Sequence, residues 1–212
     1  MFRGVMFDFD GVITNSHPVH LRAWERFLNS VGRAASQEEL QFVLDGRTRD
    51  DILRNFLGEL DADKFVEYGR RKEQFFREGA ADVRTIKGVP KLLENLQEGQ
   101  VTLGIASSGS RARVNFLLEQ LDLKRYFGAV VTGDEVAHGK PHPAVFLKAA
   151  ERLQTNPRDL IAFEDSVSGI KAAKSAGMTC VGVASPDRAS MLVDTGANQV
   201  VRDFRRLSYQ KL

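Results

Sequence analysis

The sequence predicts an α/β fold: a doubly wound parallel sheet, interrupted after its first strand by an all-helical insertion. Short apolar runs of strand length recur along the chain, and segments with helical periodicity separate them. The one break in that alternation covers residues 16–82, where only helical periodicity is found. Strands alternating with helices build a parallel sheet covered on both faces. A purely helical stretch inside such a pattern reads as an insertion.

The first strand candidate is the run "GVMFDF" near the N-terminus. In the insertion, Leu21, Trp24, Phe27, Leu28 and Val31 share one helical stripe, with Pro18 in its first turn and Gly32 at its end. Ser36-Gln-Glu-Glu39 has the form of a capping box, followed by Leu40, Val43 and Leu44. Ile52, Leu53, Phe56 and Leu57, then Phe65, Val66, Phe75 and Phe76, extend the helical pattern. Strand candidates resume with "QVTLGIAS", "FGAVVTG", "DLIAFED" and "MTCVGVAS", and weakly at "NQVV". Helices are expected over 89–96, 111–121, 143–153 and 166–176. The expected division is a Rossmann-like core of residues 1–15 and 84–212 and a helical domain of residues 16–83. The crossings near 15–18 and 81–88 are the expected hinges.

Composition narrows the function classes. The 212 residues are 42% hydrophobic and 27% charged, the balance of an ordinary soluble globular protein. A net charge of +2, with basic residues scattered in pairs such as Arg70-Arg71 and Arg205-Arg206, argues against a nucleic-acid partner. The single Cys180 excludes an internal disulfide framework, fits a reducing compartment and sits in the apolar "MTCVGVA" as a buried, inert thiol. Asp8 and Asp10 interrupt the N-terminal apolar run before it reaches signal-peptide length. No uncharged run is long enough to cross a bilayer, the longest being of the kind seen at 175–186. The expectation is a soluble cytoplasmic protein with no membrane partner, monomeric by default.

The first strand raises a chemical question, because Asp8 and Asp10 stand two residues apart at the end of an apolar run. A strand's period would put both on one side, and buried carboxylates are costly unless paired, hydrogen-bonded or bound to metal. Further polar clusters fall at the C-terminal ends of other predicted strands: Ala106-Ser-Ser-Gly-Ser110, Gly139-Lys140-Pro141 and Phe163-Glu164-Asp165-Ser166. Open α/β sheets bind ligands beyond that edge, where strand order reverses. Singly, each cluster reads as a turn, a helix cap or a surface lysine; the ordered set does not.

In that order, "DFDGV", the Ser of "ASS", the Lys of "GKPHP" and "FEDS" resemble the haloacid dehalogenase-like hydrolase superfamily, in its branch of sugar-phosphate phosphatases and β-phosphoglucomutases. The resemblance covers nearly the whole chain and implies a doubly wound core with a helical cap inserted after the first strand. The residues suit that chemistry. An ionised Asp8 can attack phosphorus and form an aspartyl phosphate, and Asp10 can give a proton to the leaving oxygen and take one from water. Gly11 lets backbone approach a phosphate. Ser107 offers a hydroxyl, the N–H groups of Ser108, Gly109 and Ser110 can cradle phosphate oxygens, and Lys140 offers a positive charge to Asp8 and the transferred group. The Lys140–Pro141 bond is a candidate cis peptide.

Asp8, Asp10, Glu164 and Asp165 would meet a phosphate dianion against one Lys140. Two like charges ~4 Å apart repel by about 4 kcal/mol even at an effective dielectric of 20, so the set calls for a hard divalent cation, and Mg²⁺ matches oxygen ligands. The resemblance implies that Asp8, the Asp10 carbonyl and Asp165 hold Mg²⁺, with Glu164 outside them or auxiliary. In the insertion, His20 can face Asp10; a mutase-like pattern has a histidine followed by Arg-Ala-Trp, as in "VHLRAW". "LDGRTRDD" supplies Gly46, Arg47 and Arg49, and Arg49 matches the mutase position that holds the distal phosphate. Lys72 in "RRKEQF" is a further candidate for the cleft, although a solvated helix face is the reading its sequence favours.

After Ser107 the mutase pattern carries a lysine where this chain has Ser108-Gly109-Ser110, with Arg111 and Arg113 further along. That favours hydrolysis of a small phosphorylated metabolite, a sugar phosphate, over the alternative of a β-phosphoglucomutase interconverting β-glucose 1-phosphate and glucose 6-phosphate. A phosphorylated receiver module shares the acidic cluster, hydroxyl and lysine, but it needs neither a proton donor beside its nucleophile nor a helical lid.

Overall fold

β1 (Gly4–Phe7) is buried along its whole length and lies inside a six-stranded sheet of order β3-β2-β1-β4-β5-β6. The structure is a computed structural model, and it describes residues 2–208. The other strands are β2 (Thr102–Ala106), β3 (Ala129–Val131), β4 (Leu160–Glu164), β5 (Thr179–Val183) and β6 (Gln199–Val201), and every pairing is parallel. The chain winds outward from β1 through β2 and β3, then returns to β4 on the other side of β1. That reversal is the switch point at which such sheets open a crevice.

Alternation along the strands sorts the side chains onto two faces. Val5, Phe7, Leu103, Ile105, Ile161 and Phe163 belong to one apolar cluster, and Met6, Ala106, Leu160 and Ala162 to another. The helices α5 (Val89–Glu98), α6 (Arg111–Gln120), α7 (Ala144–Arg152) and α8 (Val167–Ser175), together with α9 (Pro186–Thr195), complete the α/β part. α9 is absent from the sequence expectation because Leu192 alone is fully buried on it, so no apolar stripe announces it.

Between β1 and α5, the described residues form helices α1 (His17–Ser30), α2 (Gln37–Leu40), α3 (Arg49–Leu57) and α4 (Ala62–Glu78), with short 3₁₀ turns and no strand. Local sequence sets their ends. Ser36 and Glu39 form the expected capping box on α2, and Thr48 and Asp51 form a second on α3. Trp24, Phe27, Leu28, Leu40, Val43, Ile52, Leu53 and Phe56 gather into an apolar centre separate from the two beside the sheet. Val66, expected on the apolar stripe of α4, is 70% exposed, and the buried face of that helix is instead Gly69, Lys72 and Phe76. The two segments joining helices to sheet are stitched together: Asn15 N donates to Arg84 O at 2.8 Å and Ile86 N to Ile13 O at 2.9 Å.

Phe7 connects this packing to the site, since it precedes Asp8 and its ring stacks on Phe163 at 5.3 Å between centroids. Phe7→Ala should lower unfolding free energy by about 3–5 kcal/mol, as large-to-small core changes do, measured by urea denaturation.

Candidate active site

Register brings the acids together. Phe7 pairs with Ile105 on one side and Phe163 on the other, so the next residues, Asp8, Ala106-Ser107 and Glu164, emerge along one edge. Asp8 N donates to Phe163 O at 2.9 Å, which fixes the backbone there. β1 ends at Phe7, so the shared position of Asp8 and Asp10 comes from the turn that follows rather than from strand alternation. Gly11 makes that turn with φ +82, and a side chain on it would collide with the Asp165 carboxylate and the His17 ring.

Lys140 is buried, its bond to Pro141 is cis, and its ammonium donates to both Asp8 Oδ1 and Glu164 Oε1. Burial pushes the Lys140 ammonium pKa down, but the two carboxylates outweigh it and hold the group protonated, above its ordinary range. Asp8 is pushed up chiefly by burial, with Glu164, Asp165 and Asp10 adding to the rise against Lys140. Asp165 is raised by burial and by Glu164.

Glu164 is occupied on both oxygens. Its Oε2 accepts from Asp165 N at 3.0 Å, Ser166 N at 3.3 Å and Ser166 Oγ at 3.1 Å. Asp165 lies 3.3 Å from His17 Nε2, and its carbonyl accepts from Arg188. Asp8, Glu164 and Asp165 each offer an oxygen, all within 4.8 Å of one another. Three buried carboxylates against one buried ammonium leave negative charge uncompensated, and an all-oxygen donor set suits a hard cation.

Asp10 has a different environment. Arg113 Nη1 donates to both its oxygens at 2.8 Å, Ser16 Oγ donates at 2.6 Å, and His20 Nε2 stands 3.2 Å away. Burial alone would raise its pKa; Arg113 and His20 outweigh that and hold the carboxyl well below the usual range. His20 is held neutral, its pKa lowered to about 3 by burial, then by Lys72 and Arg113. Lys72 Nζ, which only donates, is 3.3 Å from Nδ1. Arg113 Nη1 stands 2.9 Å from Nε2, so both ring nitrogens face cationic donors, which disfavours a further proton on the ring.

Lys72 itself is buried, with its ammonium 5.3 Å from the Trp24 ring centroid and 5.1 Å from that of Phe76. Its pKa falls to about 8, mainly through burial. This corrects the solvated-face expectation: Lys72 lies three residues after Gly69 and four before Phe76, on the buried face of α4.

One pocket is lined by Asp8, Asp10, His20, Gly46, Arg49, Lys72, Ser108, Gly109 and Asp165 from the sequence candidates. Ser107 and Glu164 lie buried, as does Lys140, which also lines the adjoining cleft. Gly46 has φ +69 and sits where a side chain would meet Ser166 Oγ. Ser108 Oγ donates to Gly46 O at 2.6 Å, and Gly109 N to Ser107 Oγ at 3.0 Å, so part of the 108–110 loop's bonding capacity is used within the fold. Sequence reasoning missed Arg113 as a site residue, and also His17 and Glu73, which line the same pocket. Arg113 shares the buried face of α6 with Val114, Leu117 and Leu118.

Over residues 5–183 the chain matches the haloacid dehalogenase-like hydrolase family. The chain belongs to that family. It is 32% identical over 211 residues to the phosphorylated carbohydrates phosphatase of Thermotoga maritima, covering 98% of this chain and 97% of the relative. It is 31% identical to the β-phosphoglucomutase of Bacillus subtilis, covering 99% and 93%. The crystal structure of β-phosphoglucomutase from Clostridium difficile superposes with a TM-score of 0.89 at 26% identity, covering 99% and 95%. Phosphatases and a mutase thus share this fold and this sequence pattern.

The neutral state of His20 gives a pH signature. Its folded pKa of about 3 lies below the ordinary histidine value of 6.5, so unfolded chains bind the extra proton and stability falls as pH drops through that window. Replacing it by His20→Gln removes this dependence. The stability difference between wild type and variant should shrink by up to about 1.4 kcal/mol per pH unit below 6.5, read from urea unfolding at a series of pH values.

Proposed function

We propose that the protein is a Mg²⁺-dependent phosphatase that hydrolyses a small phosphate ester, a sugar phosphate, through an aspartyl phosphate on Asp8. The observation that carries this reading is the buried Asp8–Lys140–Glu164 arrangement, with Asp165 beside it, at the sheet's switch point. Asp8 and Asp165, with the Asp10 carbonyl, would hold Mg²⁺, and Glu164, already bonded on both oxygens, orients Lys140 and the start of α8. When bound, Mg²⁺ offsets the negative charge of the carboxylates and of the phosphoryl oxygens. Lys140 supports the same charge through its bonds to Asp8 and Glu164, and Ser107 and the 108–110 loop position the phosphate.

Asp8 attacks phosphorus and the ester oxygen leaves with a proton from Asp10; water then attacks the phosphoryl group while Asp10 takes a proton back. The observed Asp10, ionised by Arg113, suits the second step. Acting as acid in the first requires Asp10 to loosen from Arg113 and take up a proton before the ester bond breaks.

Residues 16–83 serve as a cap over a core of 1–15 and 84–212 in this reading. His20, Gly46, Arg49 and Lys72 come from that cap, and they meet Asp10, Ser108 and Arg113. Asp45 Oδ2 also accepts from Ser168 Oγ at 2.7 Å at the start of α8, a second contact across the cleft.

The alternative, β-phosphoglucomutase activity, draws on Arg49 in the pocket. The core loop speaks for hydrolysis, because both of its arginines are engaged: Arg111 pairs with Glu135 at 2.6 Å and Arg113 with Asp10.

Mg²⁺-dependent release of phosphate from an aryl phosphate is expected, and Asp8→Asn should abolish it; full activity in that variant would overturn the mechanism. Asp10→Asn should slow turnover about 10²–10⁴-fold. With β-glucose 1-phosphate and a catalytic bisphosphate, inorganic phosphate should appear; glucose 6-phosphate without phosphate release would establish the mutase reading instead.

A further inference from the structure

Glu73 follows Lys72 on α4 and lines the pocket described above. Its Oε1 is sealed from solvent and has no hydrogen-bond partner among the described residues. Buried polar oxygens are satisfied in the great majority of cases, and an unmet carboxylate oxygen is more costly than a neutral one. Such an exception inside a binding pocket points to a partner that arrives with the ligand.

The surroundings say what kind of partner. Lys72 and Arg113 both feel the charge of Glu73, yet their donors are turned elsewhere. Lys72 Nζ faces His20 at 3.3 Å and Arg113 Nη1 faces Asp10 at 2.8 Å. The charge of Glu73 is thus balanced at a distance while the accepting capacity of Oε1 goes unused. A ligand ammonium would add another cation beside Lys72, Arg113 and Arg49. A neutral hydroxyl satisfies Oε1 without that cost. Trp24, Val43, Leu44 and Ile52 line the same pocket, and that apolar wall taken alone would favour a bare alkyl chain over a polyol. Selection for hydroxyl groups therefore needs a dedicated acceptor.

We propose that Glu73 is a specificity-determining residue that accepts a hydrogen bond from a hydroxyl on the substrate's carbon skeleton, so that the site selects polyhydroxylated phosphate esters over alkyl phosphates. This rests on the phosphatase reading and deepens it by assigning the feature of the leaving group that is recognised.

The test is a ratio. kcat/KM is measured for hexyl phosphate and for sorbitol 6-phosphate, glucose 6-phosphate, glucosamine 6-phosphate and fructose 1-phosphate. The wild type should prefer its best polyol or sugar ester to hexyl phosphate. Glu73→Met keeps an unbranched helix former and removes the acceptor. It should shrink that preference by about ten- to a hundredfold, the range expected for losing a hydrogen bond to a charged acceptor. Glu73→Gln keeps a neutral acceptor and should retain part of the preference. A structural role would lower all esters in parallel and leave the ratio unchanged, which overturns the proposal, as does a wild type with no preference for hydroxylated esters. Selection of glucosamine 6-phosphate over glucose 6-phosphate that vanishes in Glu73→Met would replace the hydroxyl by an amine and overturn it too. If Glu73→Met does not fold, Glu73→Gln decides: a ratio equal to that of the wild type overturns the proposal. Failure of the wild type to release phosphate from any ester, aryl phosphate included, removes the phosphatase reading itself and this inference with it.

Discussion

Lys140 lies buried between Asp8 and Glu164, and its ammonium bonds to both. Much of the molecule is arranged around that contact. Removing one partner from a buried ion pair costs about 3–5 kcal/mol, because the charge left behind cannot be hydrated. The sheet therefore has to deliver two carboxylates from adjacent strands and a lysine from a distant loop to one point. Parallel pairing of β1 with β4 does the first. The Gly139–Pro141 segment, whose Lys140 side chain passes close to Gly46, does the second. Asp8, Glu164 and Asp165 together outnumber that lysine, and their oxygens form a cluster that could hold a cation.

The insertion is tied to the same centre through a second charge system. Arg113 from α6 and His20 from α1 converge on Asp10, and Lys72 from α4 backs His20. Asp10 thus sits where residues of the α/β part and of the insertion meet, so its state depends on how closely the two approach. Asp8 and Asp10, two residues apart in sequence, consequently respond to opposite influences: burial raises one and Arg113 lowers the other.

Much of this was legible in the sequence. The strands and the helical insertion followed from apolar periodicity, because burial on both sheet faces forces continuous apolar runs and leaves the acids at their ends. Asp8, Asp10, Lys140, Glu164 and Asp165 were legible as an ordered set at those ends. The partners of Asp10 were less so. Arg113 and Lys72 occupy buried faces of amphipathic helices, where a long cationic chain is hard to distinguish from a solvated one until the opposing carboxylate or ring is known. α9 escaped because a surface helix with one deeply buried residue has no stripe to detect. Glu73 carried no sequence signal, since its isolation is a property of the assembled pocket.

A divalent cation that completes the charge arrangement of the Asp8–Glu164–Asp165 cluster would stabilise the folded chain. The most direct measurement is the urea-unfolding free energy with and without Mg²⁺, which needs no substrate. Binding to the folded state alone predicts a gain of about 2.7 kcal/mol at a hundredfold excess over Kd, and the gain should be largely lost in Asp165→Asn. Unchanged stability of the wild type across the same Mg²⁺ range would contradict the account.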